Sequence, residues 1–280
     1  PDGLQRLSAG ECASGTFRGQ SGRSRGSPLS LGLPPLAGPY LVAAVVCGVT
    51  VGLLLVFLRP DPYRESLRLR GDVKPGVQRP RIRDGIEHLK NRPRAVLGIG
   101  AVAVGHVAMV MVMVMTPVHM AHVDVSLQLI GLVISVHVAG MYALSPLVGM
   151  AVDRFGRLTV IGAGVVILLT ACAVSGLAPA DDVVTLGIGL FLLGLGWSCT
   201  LIAGSTLVTD EVDPPERPAV QGLSDLTMNV AGAVGGVVAG VVVWLASYQV
   251  LTAVAAIPVV GLVVWASIPA CRRHSNTRSM

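Results

Sequence analysis

Charge is absent from long tracts of this chain and crowded into the short stretches between them. Residues 125–152 and 158–180 hold no Asp, Glu, Lys or Arg, yet Asp153, Arg154 and Arg157 fall together in "GMAVDRFGRL", 149–158. Uncharged runs suited to crossing a bilayer lie at 37–58, 95–117, 127–151, 159–178 and 183–208. Each approaches or exceeds the roughly 20 apolar residues that a spanning helix needs. A further charge-free tract runs 46 residues, from Leu226 to Cys271. As one helix it would reach about 69 Å at ~1.5 Å per residue, twice the hydrocarbon thickness. It has to turn back, and "ASYQ" at 246–249 is its most polar point, which predicts spans near 219–245 and 249–270. Backbone groups in lipid must be satisfied within their own segment, so runs this long are predicted to be helices. Barrel strands would instead alternate over stretches of about ten residues.

Composition agrees with an all-α integral membrane protein of seven crossings. Of 280 residues, 52% are hydrophobic and 13% charged, with a mean hydropathy of +0.70. A soluble domain carries about 25% charged residues. The net charge of +5 is concentrated in one segment beside apolar runs, with no aromatic-basic platform, so nucleic acid is not an expected partner. Cys12, Cys47, Cys172, Cys199 and Cys271 are scattered without a CxxC pair, which argues against a disulfide framework or a zinc site. Residues 1–27, beginning at Pro1, are rich in Gly, Ser and Arg and lack the apolar core of a signal peptide. The segment 1–36 is read as an atypical external linker.

Basic residues orient the spans. The connection 59–94 holds eleven Lys or Arg, "DRFGR" two, "DEVDPPERP" one, and the tail 271–280 has Arg272, Arg273 and Arg278. The intervening connections, around 118–126, at "APADD" and at "ASYQ", have none. Alternation without a break places 59–94 and the C-terminus in the cytoplasm of a multi-pass cell-membrane protein, although the four arginines of the first 35 residues run against it.

One helix at 37–58, a long basic loop at 59–94, and six helices joined by short turns over 95–270 resemble the second part of a major facilitator superfamily transporter. In that family twelve helices form two six-helix halves joined by a cytoplasmic loop, so 37–58 corresponds to the sixth helix and 95–270 to the C-terminal half. The turn between the second and third helices of each half carries the family signature G-x-x-x-D-R/K-x-G-R/K-R/K. Gly149, Asp153, Arg154, Gly156 and Arg157 match it at that address, and Leu158 departs from its last basic position.

The resemblance implies a gate. Asp153 would latch the cytoplasmic end of a helix in the other half, using the positive end of a helix macrodipole, worth about 0.3–1 kcal/mol and up to ~2 when partly buried. Arg154 would pair with an acid at the end of the fourth helix of its own half, Asp210 or Glu211. The plainer alternative is a topological charge cluster. Gly156 suits a tight turn with positive φ, and Gly149 would let a neighbouring helix approach.

A second constellation lies in the predicted helix 219–245. Gln221, Asp225 and Asn229 recur every four residues on one face. That face continues as Gly232, Gly236 and Gly240, a small-xxx-small stripe expected to mediate helix packing. Asp225 and Asn229 stand either beside a substrate or proton pathway or near the rim, bonded within the protein. His106 and His137 fall near the midplane of their helices and are proton-carrier candidates. Each could equally be a neutral imidazole bonded to a backbone carbonyl or to a Ser such as Ser135. His119, His122 and Asp124 are read as a polar external loop rather than a metal site. Met109, Met111, Met113 and Met115 are spread around a helix and read as packing. Trp197, Ser198 and Thr200 are candidates for a cavity wall that periodicity alone does not orient.

These observations predict a secondary transporter of a small solute by alternating access, with proton-coupled efflux of drug-like compounds favoured by the scarcity of midplane charge. No phosphate-binding G-x-x-x-x-G-K-S/T motif or H-E-x-x-H is present, and no nucleophile–base set suggests an enzyme. No cofactor or metal is expected. The partners implied are the lipid bilayer, a small-molecule substrate, protons and a missing N-terminal half. The alternative is a partial or inactive half-transporter fragment with no autonomous transport.

Overall fold

The computed structural model describes residues 38–59, 65, 82–90 and 92–267. The expected segment 1–36, the tail 271–280 and most of the 59–94 loop lie outside the described residues. Chain contacts divide the protein into two units, residues 1–77 and 78–280. The first contains α1 (Gly38–Phe57), a charge-free helix of spanning length. In the second, α2 (Ile82–Leu89) and α3 (Pro93–Ala121) are followed by α4 (Leu127–Tyr142), α5 (Ser145–Phe155) and α6 (Arg157–Leu177). The chain continues through α7 (Val183–Glu211), α8 (Arg217–Leu245) and α9 (Tyr248–Ala266). Among the described residues every regular element is an α-helix, and seven spans are long and apolar enough to cross a membrane.

Local sequence explains where these helices start and stop. Pro93 opens α3, where a missing N–H costs nothing. Ser126, Asp182 and Ser247 cap α4, α7 and α9 by accepting from the N–H groups of Leu129, Thr185 and Val250. The Thr185 hydroxyl and backbone N–H together hold the Asp182 carboxyl below the usual carboxylate range. Gly156, at φ 87°, ends α5 and begins α6, a backbone conformation that glycine adopts without a Cβ clash.

The structure departs from the sequence expectation in three places. The predicted span 127–151 is two helices, broken at Ala143–Leu144. Pro146 has no N–H to give the carbonyl of Tyr142 four residues earlier, and its ring crowds that carbonyl. Inside the predicted loop lies α2, whose Gly85 backs onto the start of α8; a Cβ there would sit 3.0 Å from the carbonyl oxygen of Ala219. The loop itself ends earlier than expected, because Pro93 and Arg94 already belong to α3.

The second unit is organised around α7, which packs on α3, α4, α5 and α6 and is the most deeply buried span among the described residues. Helices α3 and α7 cross at a pair of glycines. A Cβ on Gly98 would lie 2.7 Å from the Gly204 carbonyl oxygen, and one on Gly204 would lie 2.8 Å from that of Gly98. Such backbone-to-backbone approach is how membrane helices gain packing energy without a hydrophobic driving force. By contrast, the α4–α5 span is 22% buried and α8 only 17%. At one end, the Tyr248 hydroxyl donates to Thr116 Oγ1 at 2.8 Å, because the Thr116 hydroxyl is already donated to the Val112 carbonyl. His119 stacks on the Tyr248 ring, 4.3 Å between centroids. These contacts tie α3 to α9.

Candidate functional site: a midplane aromatic cluster and a charged rim

Three residues from three helices meet halfway along their spans. His106 is the fourteenth of 29 residues in α3 and Trp197 the fifteenth of 29 in α7. Tyr142 is the sixteenth of 29 in the α4–α5 span. The Trp197 indole N–H donates to His106 Nδ1 at 3.1 Å. An indole nitrogen only donates, so His106 Nδ1 is the bare nitrogen and the neutral ring carries its proton on Nε2. Tyr142 meets Trp197 edge-on, with centroids 6.1 Å apart and planes at 79°. That T-shaped geometry suits the opposed electrostatics of ring edge and face. Trp197 is buried and Tyr142 is 59% exposed.

The fourth wall is Gly232, the sixteenth of 29 residues in α8. A Cβ at this position would lie 2.7 Å from His106 Cδ2 and Nε2. The absence of a side chain is therefore what admits the imidazole between α3 and α8. Ser145 opens α5 beside the break, bonded to the Met141 carbonyl at 3.1 Å and 3.5 Å from Ser198 Oγ. It occupies the carbonyl at the end of α4 just where Pro146 interrupts the helix ladder.

His137 is placed differently. It is buried between α4 and α7, with Nδ1 donating to the Leu190 carbonyl at 2.8 Å and Nε2 left without a partner. Of the two sequence alternatives this is the carbonyl-bonded one, since Ser135 bonds the Gly131 carbonyl instead. His119 and His122 diverge: the first stacks on Tyr248 and the second bonds the Val118 carbonyl through Nδ1.

The polar stripe of α8 bonds along its own helix. Gln221 donates to the Asp225 carboxylate at 3.2 Å, and Asn229 donates to the Asp225 backbone carbonyl at 2.7 Å. Asp225 and Asn229 are exposed, about 12 Å and 18 Å from the start of α8. The glycine stripe divides. Gly232 is in close contact, Gly236 has only an ordinary contact with Val110, and nothing lies within 4 Å of a Cβ on Gly240. The packed face is Gly232, Gly235 and Ala239, a spacing of three and four rather than strictly four. That correction follows from 3.6 residues per turn, which rotates a strict four-residue stripe away from the contact.

At one end, the turns expected to share a side do meet. Arg157, at the start of α6, pairs with Asp210 near the end of α7 at 2.7 Å. This corrects the expectation for Arg154, which reaches no acid among the described residues and instead lies 5.7 Å over the Phe155 ring. Arg154 precedes Gly156 and points off α5, whereas Arg157 follows the reversal and faces α7. Glu211 pairs with Arg94 at 3.1 Å. Arg92 bonds the Glu211 carbonyl and the Asp213 carboxylate, both at 2.8 Å, and lies 3.4 Å from Glu216. Asp153 is exposed with no ion-pair partner among the described residues. Gly149, expected to admit a neighbouring helix, has open space where a Cβ would stand.

Tyr142 and Arg92 escaped the sequence reading. The signal for Tyr142 was Pro146 four residues on, which frees a carbonyl and breaks the span at its midpoint. Arg92 looked like one of eleven loop cations.

The family model described as Major Facilitator Superfamily matches residues 98–278. The uncharacterized MFS-type transporter YddS of Bacillus subtilis is 36% identical over 241 residues, 84% of this chain and 55% of that protein. YdeG of the same organism, likewise an uncharacterized MFS-type transporter, is 35% identical over 243 residues, 85% of this chain and 56% of its own. The riboflavin transporter RfnT of Brucella anthropi is 26% identical over 192 residues, 69% and 45% of the two chains. The chain spans about half the length of the curated relatives it matches. With seven apolar spans and a family match over most of its length, the chain belongs to the Major Facilitator Superfamily as a multi-pass, all-α membrane protein.

Proposed function

We propose that this chain supplies the C-terminal half of a secondary transporter that moves a small solute by alternating access, with the His106–Trp197–Tyr142 cluster as its part of the solute site. The observation that carries the reading is the depth of that cluster: three side chains at the midpoints of three 29-residue spans, beside a broken helix. Substrate sites of secondary transporters lie near the bilayer midplane, at discontinuous helices and between repeats. Protons are the proposed coupling ion, His106 the group that carries them, and efflux of weakly charged compounds the proposed direction. The basic ends of the connections support a cytoplasmic side for 59–94 and for the C-terminus in a cell membrane.

The open faces of α4–α5 and α8 fit a second half-transporter packed against them. Asp153 and Asp225 then meet that half, Asp153 as the latch of the inner gate. The same faces support the second reading, that this chain expressed by itself inserts but does not transport.

The test is solute-driven proton movement by the whole protein that carries this chain, in proteoliposomes with a pH-sensitive dye inside. His106→Gln is expected to abolish the proton signal while downhill solute flux persists. An unchanged proton signal in that variant would remove His106 from the coupling path.

A further inference from the structure

We propose that the midplane cluster selects planar, uncharged aromatic solutes that carry a hydrogen-bond acceptor. The inference rests on the cluster being the solute site and names what that site takes.

Tyr142 supplies the first argument. Its ring is 59% exposed at the middle of its span, and its hydroxyl has no hydrogen-bond partner among the described residues. Tyrosine ordinarily sits at the membrane–water interface, where the ring is in hydrocarbon and the hydroxyl in water. At the midplane an unpartnered hydroxyl facing lipid is costly. Its place therefore makes sense where a solute or cavity water meets it. The exposed ring gives that solute a stacking surface, and Trp197 behind it, buried and fixed by His106, keeps the surface rigid.

His106 fixes the polarity of the site. With Nδ1 occupied by Trp197, the neutral imidazole presents an N–H at Nε2, for which no acceptor stands among the described residues. That group only donates, so the solute has to bring an acceptor, a carbonyl oxygen or a ring nitrogen. This chain offers a charged solute nothing to pair with. Within two turns of His106, Tyr142 or Trp197 along their helices there is no Asp, Glu, Lys or Arg. An ionic solute would find no counter-charge on these three helices, and an unpaired charge in low-dielectric surroundings is heavily penalised.

Binding of tritiated acridone, a planar neutral ring system with a carbonyl acceptor, tests this on the whole protein in lipid nanodiscs. Caprolactam, an aliphatic amide, and the charged acridinium ion serve as comparisons. Saturable acridone binding is expected, weakened about tenfold by Tyr142→Phe or by His106→Phe, each of which keeps a ring and loses a hydrogen bond. Tyr142→Leu should weaken it further, and neither comparison compound should compete. An unchanged unfolding temperature of each Tyr142 variant of the whole protein separates loss of binding from loss of structure. No saturable acridone binding, or equal competition by caprolactam or acridinium, overturns the proposed class. If another solute is transported and Tyr142→Leu abolishes that transport, the site reading survives and only the class fails. If transport of every solute is indifferent to both Tyr142→Leu and His106→Leu, the site reading fails with it.

Discussion

The Trp197 indole N–H reaches across from α7 to His106 Nδ1 on α3, 3.1 Å away, and so fixes the imidazole tautomer at the middle of the bundle. A protonated imidazole carries N–H groups on both nitrogens, leaving Trp197 nothing to donate to. Proton occupancy at His106 and the position of the Trp197 ring are thereby linked. The nearest charge on α8 is Asp225, two turns from the Gly232 that touches His106, and no charged residue lies within two turns on α3 or α7.

That link predicts a titration. In a protein with Trp244 and Trp265 changed to Phe, Trp197 emission should change in a single step on acidification as His106 gains its proton. The step should disappear in His106→Gln. A titration that persists without His106 would mean that another group is being reported.

Gly232 and Gly240 are predicted to behave oppositely although both lie on the same four-residue stripe. Gly232→Ala places a methyl 2.7 Å from His106, which must move or strain against Trp197, and such overpacking costs about 1–3 kcal/mol. Gly240→Ala meets nothing within 4 Å and should leave thermal unfolding unchanged or slightly improved. Equal destabilisation at the two positions would show that α8 packs in another register.

On the charged rim, a double-mutant cycle between Arg157→Gln and Asp210→Asn should return a coupling of about 0.2–1 kcal/mol, the usual size for a pair as exposed as this one. The cycle between Arg154→Gln and Asp210→Asn should return none. Asp153→Asn should impair transport by the whole protein while leaving insertion and unfolding temperature intact, because Asp153 has no partner among the described residues to lose. Normal transport kinetics in a correctly inserted Asp153→Asn protein would remove the latch.

The sequence was read correctly where one physical constraint dominates. Bilayer thickness and the cost of buried charge marked out seven largely uncharged runs, and seven spans long and apolar enough to cross a membrane stand at those runs among the described residues. The span 127–151 was misread as continuous, because uncharged apolar composition does not register a break, although Pro146 carried the signal. Pairing at the rim was assigned to Arg154 rather than Arg157, since one glycine reverses the chain between them and spacing does not say which arginine then faces α7. The cluster itself was half visible. His106 stood out as a midplane candidate and Trp197 as an unoriented candidate for a cavity wall, but their hydrogen bond joins residues 91 apart and depends on how α3 and α7 cross at Gly98 and Gly204.

Whether Tyr142 faces water or lipid decides the account most directly. With Cys12, Cys47, Cys172, Cys199 and Cys271 replaced, Tyr142→Cys and Val166→Cys would each be challenged with a membrane-impermeant maleimide in the whole protein. Val166 is as exposed as Tyr142 and lies at the middle of α6, outside the three helices of the cluster, and serves as the lipid-facing comparison. Tyr142→Cys should label and Val166→Cys should not. An inert Tyr142→Cys, or equal labelling at both positions, would contradict a solute pathway at the midplane cluster.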